Sequence, residues 1–229
     1  MPRSDLTGFI LAGGRSRRMG EDKAQLSWQG GTFLTHAIAV MRQVSSQVCV
    51  VGGTETGRLG ALQDNHPGRG PLGGIQTALH HTQTDWNLML AVDMPLVSSG
   101  LLEFIASRCD TQSLVVVPRV RSQNRAQLNG ASPADGASQS HELLLQPLCA
   151  AYHRRLLPYI DRALSKDELS IHRLLERLRA GMMKEDSRAV RLIDEQELAA
   201  AGFCAEMLLN VNTPEDLERA RALARTLDV

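Results

Sequence analysis

Short apolar runs of strand length alternate along this chain with segments whose apolar residues recur every three or four positions. The apolar runs lie at 7–12, 47–52, 86–92 and 113–118, and the helical patterns lie at 33–44, 72–81 and 98–109. Consecutive apolar positions indicate strands that are buried on both faces, which is typical of a parallel sheet covered by helices. The alternation therefore predicts an α/β fold with a largely parallel central sheet.

The loop after the first strand combines glycines with several cations. It reads LAGGRSRRMGEDK over residues 11–23. Glycine lets the backbone approach a ligand closely, and successive backbone N–H groups can form a nest for an anion. Arg15, Arg17, Arg18 and Lys23 add positive charge that suits phosphate groups. The loop predicts a triphosphate site, and a basic surface turn is the alternative interpretation.

Two familiar nucleotide motifs are absent from this loop. Gly20 is followed by Glu21 and Asp22 before Lys23, whereas a Walker A loop needs Gly-Lys-Ser/Thr. The spacing G-x-G-x-x-G of the dinucleotide fingerprint does not occur in this loop either. The loop therefore indicates neither a P-loop NTPase nor an NAD enzyme.

Two further elements follow strands or enter helices where a ligand could bind. Asp93 follows the strand LMLAV and precedes Met94 and Pro95, a position from which a carboxylate could hold Mg²⁺ against a phosphate. The segment 70–74, GPLGG, enters a helix, and its backbone could lie against a flat base. A turn cap and a glycine-rich turn are the respective structural alternatives.

Composition excludes several classes of function. Lys and Arg number 25, and so do Asp and Glu, so the net charge of zero argues against general nucleic-acid binding. No segment approaches the roughly 20 apolar residues that span a bilayer, and no signal peptide is recognisable. The four cysteines are far apart, which suits reduced thiols in the cytoplasm. We expect a cytoplasmic protein that binds neither nucleic acid nor membrane.

The second half of the chain contains one long polar stretch and one well-marked helix. Residues 119–141 are rich in Ser, Ala, Gly and Gln, so we predict a mobile loop within a single domain of residues 1–229. The tail NTPEDLERARALARTL predicts a helix with Thr213 as N-cap, Pro214 at its first position and Asp216 in a capping box.

Taken together, four motifs resemble the bacterial molybdenum cofactor guanylyltransferases, also called the molybdopterin-guanine dinucleotide biosynthesis protein A family. They are the opening loop, DNHPGRGPLGG from Asp64, DMP from Asp93, and NVNTPED from Asn210, in that order. The matches span residues 8–98 and 146–220. The resemblance implies a Rossmann-like, three-layer nucleotidyltransferase fold with a mostly parallel, mixed central sheet.

The resemblance also implies a reaction. Enzymes of this family transfer GMP from GTP to the terminal phosphate of molybdenum-bound molybdopterin, which gives molybdopterin guanine dinucleotide and pyrophosphate and requires Mg²⁺. Proteins that deliver or accept the cofactor would be transient partners. A cytidylyl- or sugar-phosphate nucleotidyltransferase, or a non-catalytic nucleotide-binding protein on the same fold, are the alternatives.

Residue by residue, the resemblance assigns three sets of site residues in this chain. The nucleotide-binding residues are expected to be Leu11, Ala12, Gly13, Gly14, Lys23, Asp64, Pro71, Leu72, Gly74 and Asp93. Asp93 and Asn212 are the expected Mg²⁺ ligands, and Lys23, Asp93 and Arg18 are the expected catalytic residues. Some relatives carry an asparagine after the second strand, where this chain has Gly52 and Gly53.

Overall fold

A seven-stranded mixed sheet forms the centre of the computed structural model, which describes residues 1–13, 22–52, 61–121, 143–181 and 188–227. The strands are β1 Arg3–Leu11, β2 Ser27–Trp28, β3 Gly31–Thr32, β4 Ser45–Val51, β5 Trp86–Ala91, β6 Val115–Arg121, β7 Leu143–Leu145, β8 Cys149–His153 and β9 Val190–Asp194. The helices are α1 Phe33–Val44, α2 Gly70–His81, α3 Ser99–Ser107, α4 Leu157–Ser165, α5 Ile171–Arg179, α6 Glu195–Ala200 and α7 Pro214–Leu227. Strands β2 and β3 form a separate hairpin.

The direction of the strands decides where a site can form. The order β4-β1-β5-β8-β6 places antiparallel β8 between β5 and β6, and β6 also pairs with β7 and β9. Strands β4, β1, β5, β6 and β9 therefore run in one direction. Their last residues, including Leu11, Val51, Ala91 and Arg121, lie along one side of the sheet, which we call the carboxyl edge. This mostly parallel, mixed sheet confirms the predicted fold class.

Helices bury both faces of the sheet. Helices α1, α3, α6 and α7 pack on one face, and α2, α4 and α5 pack on the other. Helix α1 covers the predicted residues 33–44, and its capping box at Thr32 and Thr35 fixes where it begins. Helix α2 begins two residues before the predicted 72, at Gly70. Within the described residues no helix is long and apolar enough to cross a bilayer.

The predicted loop at 119–141 begins later than expected. Residues 119–121 extend β6, because they pair with β7 on one side and Arg119 pairs with Asp194 of β9 on the other. Residues 122–142 lie outside the described part of the chain. The single-domain organisation of residues 1–229 stays a prediction.

The close packing of α1 on β1 depends on a glycine in the strand. A Cβ atom added at Gly8 would overlap the fully buried side chain of Met41, with only 2.6 Å to its Sδ atom. Met41 lies in the middle of α1, so the side chain has little free volume into which it can move.

We predict that Gly8→Ala lowers the free energy of unfolding by about 1–3 kcal/mol because it overpacks this contact. In the double variant Gly8→Ala/Met41→Ala, the loss should be smaller than the sum of the two single losses, because the smaller side chain at 41 accommodates the added methyl group. Urea unfolding of the wild type and the three variants measures this coupling. Additive losses, or a Gly8→Ala protein as stable as the wild type, would contradict the described packing.

Candidate functional site: a lysine, a carboxylate and an amide at the carboxyl edge

The first and third parallel strands bring two predicted site segments side by side at the carboxyl edge. The backbone N–H of Ala12 donates to the carbonyl of Val51 at 2.9 Å, and the N–H of Val92 donates to the carbonyl of Leu11 at 3.1 Å. The chain therefore leaves β1 through Ala12 and leaves β5 toward Asp93 at adjacent points. This is the position where α/β folds bind ligands.

Lys23 joins two residues that are remote from it in sequence. Its ammonium Nζ donates a hydrogen bond of 2.7 Å to Asp93 Oδ2 and another of 2.7 Å to Asn212 Oδ1. The Lys23 and Asp93 side chains are only 14% and 17% exposed, so water screens this ion pair weakly. Three residues that the sequence nominated separately thus form one cluster, which we call the Lys23 cluster.

Local backbone structure holds Lys23 and Asp93 in place. Lys23 opens a short 3₁₀ turn, and the carboxylate of Asp22 caps that turn by accepting from the N–H of Ala24 at 3.0 Å. The carbonyl of Asp93 accepts from the N–H of Val211 at 2.8 Å. That bond ties the end of β5 directly to the segment that carries Asn212.

The start of α7 positions Asn212. One oxygen of Asp216 accepts from the N–H groups of Asn212 and Thr213, each at 3.0 Å, while the Thr213 hydroxyl accepts from the N–H of Asp216 at 3.1 Å. This arrangement confirms the predicted capping box and the start of the helix at Pro214. The sequence did not indicate that the cap also fixes the backbone of Asn212.

The two carboxylate oxygens of Asp93 differ in their hydrogen bonding. Its Oδ1 atom is buried and accepts no hydrogen bond from any residue that the structure describes, whereas Oδ2 accepts one from Lys23. A buried carboxylate oxygen without a partner costs free energy, and a hard cation such as Mg²⁺ prefers such an oxygen. The free oxygen of Asp93 and the amide oxygen of Asn212 therefore fit a Mg²⁺ ion.

Two glycines face each other where β1 and β4 end. Gly52 has a φ angle of +75°, and a Cβ atom there would come within 3.2 Å of the Cα and N atoms of Gly13. A Cβ atom added at Gly13 would meet no atom of a described residue within 4 Å. Gly52, noted from the sequence only as a difference from relatives, is required by the close approach of the two loops.

Other predicted nucleotide-binding residues occupy more varied positions. Leu11 and Ala12 are buried at the end of β1, and Gly14 and Arg18 lie outside the described residues. Asp64 Oδ1 accepts from the N–H of His66 at 2.9 Å and from the Thr77 hydroxyl at 3.3 Å, which holds the preceding loop against α2.

The segment 70–74 forms the first turn of α2. Pro71 is exposed there, and Leu72 is fully buried in the core. A Cβ atom at Gly74 would lie 3.5 Å from Leu11 and 3.9 Å from Val51, so this glycine faces the sheet. Because the Leu72 side chain is buried and Gly74 has none, any contact of these two residues with a nucleotide would be made by backbone atoms, as the sequence predicts for this segment.

The described histidines near these elements have structural contacts. The ring of His36 lies edge-on to Trp28, and burial lowers its pKa while a hydrogen bond with the Pro95 backbone opposes that shift. His153 accepts from the N–H of Arg155 at 3.1 Å, at the opposite edge of the sheet from Asp93. Burial lowers the pKa of His153, and the charges of Arg155 and Arg154 lower it further.

Comparisons with known proteins identify the family to which the chain is similar. The family model of the MobA-like NTP transferase domain matches residues 8–183. The chain is 28% identical over 227 residues to a Bacillus thuringiensis (strain Al Hakam) protein named "Probable molybdenum cofactor guanylyltransferase", with 95% of this chain and 96% of the relative covered.

Solved structures share the fold. Molybdopterin-guanine dinucleotide biosynthesis protein A from Archaeoglobus fulgidus superposes with a TM-score of 0.68 at 22% identity, covering 96% of this chain and 99% of its own. The 2-C-methyl-D-erythritol 4-phosphate cytidylyltransferase from Thermus thermophilus gives a TM-score of 0.64 at 20% identity, covering 98% and 100%. The two proteins, whose names indicate different roles, thus share this fold with the chain.

We predict that Asp216→Ala destabilises the protein by about 0.5–2 kcal/mol, because the N–H groups of Asn212 and Thr213 lose their acceptor. Glu215→Ala is the matched control, since Glu215 is an exposed acid in the same helical turn. Thermal unfolding of both variants makes the comparison. Equal melting temperatures for the two variants would show that Asp216 does not hold this segment.

Proposed function

Because this chain belongs to the MobA-like NTP transferase family, we propose that it transfers GMP from GTP to the terminal phosphate of molybdenum-bound molybdopterin. The products are molybdopterin guanine dinucleotide and pyrophosphate. The observation that carries the proposal is the Lys23 cluster, in which a cation, an amide oxygen and a carboxylate oxygen without a described partner meet at the carboxyl edge.

The proposed reaction requires the protein to position the two substrates and to neutralise the charge of their phosphates. An oxygen of the acceptor phosphate attacks the α-phosphorus of GTP, a new P–O bond forms, and the bond to the bridging oxygen of the β-phosphate breaks. Pyrophosphate leaves with that electron pair. The attacking group is already an anion, so no general base is needed. This fits a site whose described histidines have structural contacts.

In this scheme each member of the Lys23 cluster has one role. Lys23 contacts the phosphates as a point charge, because its ammonium already lies at the carboxyl edge with little water around it. Asp93 and Asn212 would hold Mg²⁺, which supplies charge compensation for the α-phosphate and the departing pyrophosphate. Asp216 acts through Asn212 as a positioning residue.

The remaining assignments follow from placement along the same edge. Ala12 and Gly13 would line the nucleotide with their backbone, and the free N–H groups in the first turn of α2 would face it from the other side. Asp64 would lie near the sugar or base, because Leu62, two residues before it, pairs with the end of β4. Gly14 and Arg18 complete the proposed phosphate loop.

GTP is favoured over the alternatives by the named relatives and the motifs. Cytidylyltransferases share the fold, so the fold does not choose the base. The 28% identical relative is named for guanylyl transfer, and the chain carries Gly13 and the P-L-G-G element, which belong to the motifs that resemble the guanylyltransferases. A non-catalytic nucleotide-binding protein would have no need for both oxygens that converge on Lys23.

We predict that GTP is used at least on the order of 100-fold better than CTP or ATP, expressed as kcat/KM, because backbone carbonyls paired to the donor edge of guanine would be unsatisfied by the other bases. The assay is pyrophosphate release with each nucleotide, molybdenum-bound molybdopterin and Mg²⁺. Preference for CTP would overturn the guanylyl assignment, and no release with any nucleotide would overturn the enzymatic proposal.

We predict that Asp93→Asn reduces turnover by about 10²–10³-fold, the size typical of a lost charge-stabilising group. The melting temperature should change little, because asparagine keeps an oxygen that can accept from Lys23. Asp85→Asn is the control, since Asp85 is exposed just before β5, at the opposite edge of the sheet. A variant at 93 that melts early yet turns over normally would show that Asp93 serves only the fold.

A further inference from the structure

The Lys23 ammonium lies at the point where the proposed function needs a metal ion. It is 2.7 Å from Asp93 Oδ2 and 2.7 Å from Asn212 Oδ1, the two side chains that would hold Mg²⁺. Mg²⁺ binds its oxygens at about 2.0–2.1 Å and demands a regular octahedral geometry. An ammonium and a metal ion held by the same two side chains would lie close together and repel each other, so the two cations compete for this position.

Charge makes this competition stronger. Both acidic and basic members of the pair are more than four-fifths buried, so the repulsion between an ammonium and a divalent ion that share Asp93 is poorly screened. With Lys23 in place, the pair is already neutral, and little net negative charge is left to attract Mg²⁺. A ligand shifts the equilibrium between the lysine-occupied and the metal-occupied site only if it binds better to one of them than to the other. A triphosphate binds better to the metal-occupied site, because it attracts both the displaced ammonium and the metal ion.

We propose that Lys23 is an exchangeable internal cation that keeps the metal subsite closed until a nucleoside triphosphate binds. The triphosphate draws the ammonium from Asp93 and Asn212 onto its phosphates, and the freed oxygens then accept Mg²⁺. Metal and nucleotide consequently bind as a unit, and the free protein has low affinity for the metal alone. This inference rests on the proposed function, which places the metal at Asp93 and Asn212.

The second oxygen of Asp93 is where the exchange could begin. Oδ1 is buried and accepts no hydrogen bond from a described residue, so a metal that reaches it could bind Asp93 before Lys23 has left Oδ2. Asn212 stays in position during the exchange, because its backbone is held by Asp216 and not by Lys23. The exchange therefore requires movement of one long, flexible side chain and leaves the backbone unchanged.

The test is the affinity of the full chain for Mn²⁺, measured by equilibrium dialysis with electron paramagnetic resonance detection of free Mn²⁺, with no nucleotide present. Lys23→Ala removes the competing cation, and Lys23→Gln removes the charge while keeping a hydrogen-bond donor for Asp93 and Asn212. Both variants should bind Mn²⁺ about 5–150-fold tighter than the wild type, the range typical of coupled sites. Lys166→Ala, at an exposed lysine, should match the wild type.

A second arm separates the failure of this inference from failure of the metal site itself. With a non-hydrolysable GTP analogue, the wild type should retain Mn²⁺ on the protein, and Asp93→Asn should not. If the wild type retains no Mn²⁺ with the analogue, the proposed metal site is wrong. If it does retain Mn²⁺, but both Lys23 variants bind the metal alone no better than the wild type, only the exchange is wrong.

An independent observation concerns Arg119, near the end of β6. Five buried side-chain atoms of the described residues lack a hydrogen-bond partner, and the Nε atom of Arg119 is one of them. Arg177 and Gln76, which contribute two of the others, are paired through their remaining atoms. The guanidinium of Arg119, by contrast, has no hydrogen bond or ion pair to any residue that the structure describes.

The position of Arg119 places this unpaired guanidinium at the carboxyl edge. Its side chain lies on the same face of β6 as Val115 and Val117, which belong to the core under α2, α4 and α5. Strand β6 is separated from β5 by β8, so Arg119 lies roughly 10 Å or more to the side of the strand that leads to Asp93. A ligand group bound at Arg119 would therefore lie to one side of the nucleotide along the carboxyl edge.

The geometry points to Arg119 as a contact for an anionic phosphate group of the acceptor substrate. An arginine offers a fork of donors that matches a phosphate, and binding one would satisfy the buried Nε atom. This inference also rests on the proposed function, which supplies the acceptor. It adds a residue for the second substrate, whereas the sequence motifs indicated residues for the nucleotide and metal.

Kinetics with molybdenum-bound molybdopterin at saturating GTP test this role. Arg119→Ala should raise the KM for the acceptor about tenfold or more, the loss of one charge-assisted contact, and Arg119→Lys should restore part of it. The Kd for GTP, measured by calorimetry, should stay at the wild-type value. Arg121→Ala is the matched control on the same strand and face, because Arg121 already pairs with Glu195.

The possible outcomes separate the role of Arg119 from the proposed function. An unchanged acceptor KM in an active Arg119→Ala protein, or an equal loss in Arg121→Ala, would overturn the role of Arg119. A weakened Kd for GTP would place Arg119 on the nucleotide instead. No pyrophosphate release by the wild type with this acceptor would overturn the proposed function itself.

Discussion

The hydrogen bonds that Lys23 donates to Asp93 and Asn212 join three parts of the chain that are far apart in sequence. Lys23 is separated from Asp93 by 70 residues and from Asn212 by 189 residues. Only the parallel arrangement of β1 and β5, with α7 packed beside them, brings these segments to one edge. The partly buried ion pair therefore depends on the correct assembly of the whole sheet.

The contacts around the Lys23 cluster hold Asp93 and Asn212 in place but leave the Lys23 side chain able to move. Asn212 is fixed through Asp216 at the start of α7, and Asp93 is fixed through its carbonyl bond to Val211. Lys23 reaches the cluster through a flexible side chain from a short turn. A rigid pair of oxygens with a movable cation is suited to exchanging that cation for another, whereas a purely structural salt bridge needs no such asymmetry.

The sequence predicted much of the fold, and the reasons for its failures are physical. Helix α1 matches its predicted bounds because periodicity and a cap agree there. Periodicity carries no information on strand direction, so the family resemblance alone implied a mixed sheet, and it did not say that β8 is the antiparallel strand between β5 and β6. The short strands β7 and β9 were not predicted. At the site, motifs nominated Lys23, Asp93 and Asn212, but the direct contact between them depends on tertiary packing. Leu72 is the opposite case, because it belongs to a motif but its side chain is buried in the core.

The most direct test of the site is anomalous diffraction from crystals grown with Mn²⁺ and a non-hydrolysable GTP analogue. The account predicts one Mn²⁺ peak in bonding contact with the Asp93 carboxylate, about 2.0–2.6 Å from its oxygen as expected for a hard cation. It also predicts that Lys23 Nζ has moved from Asp93 and Asn212 to the phosphates. A metal bound elsewhere, or a nucleotide bound away from Gly13 with the Lys23 cluster intact, would contradict the account.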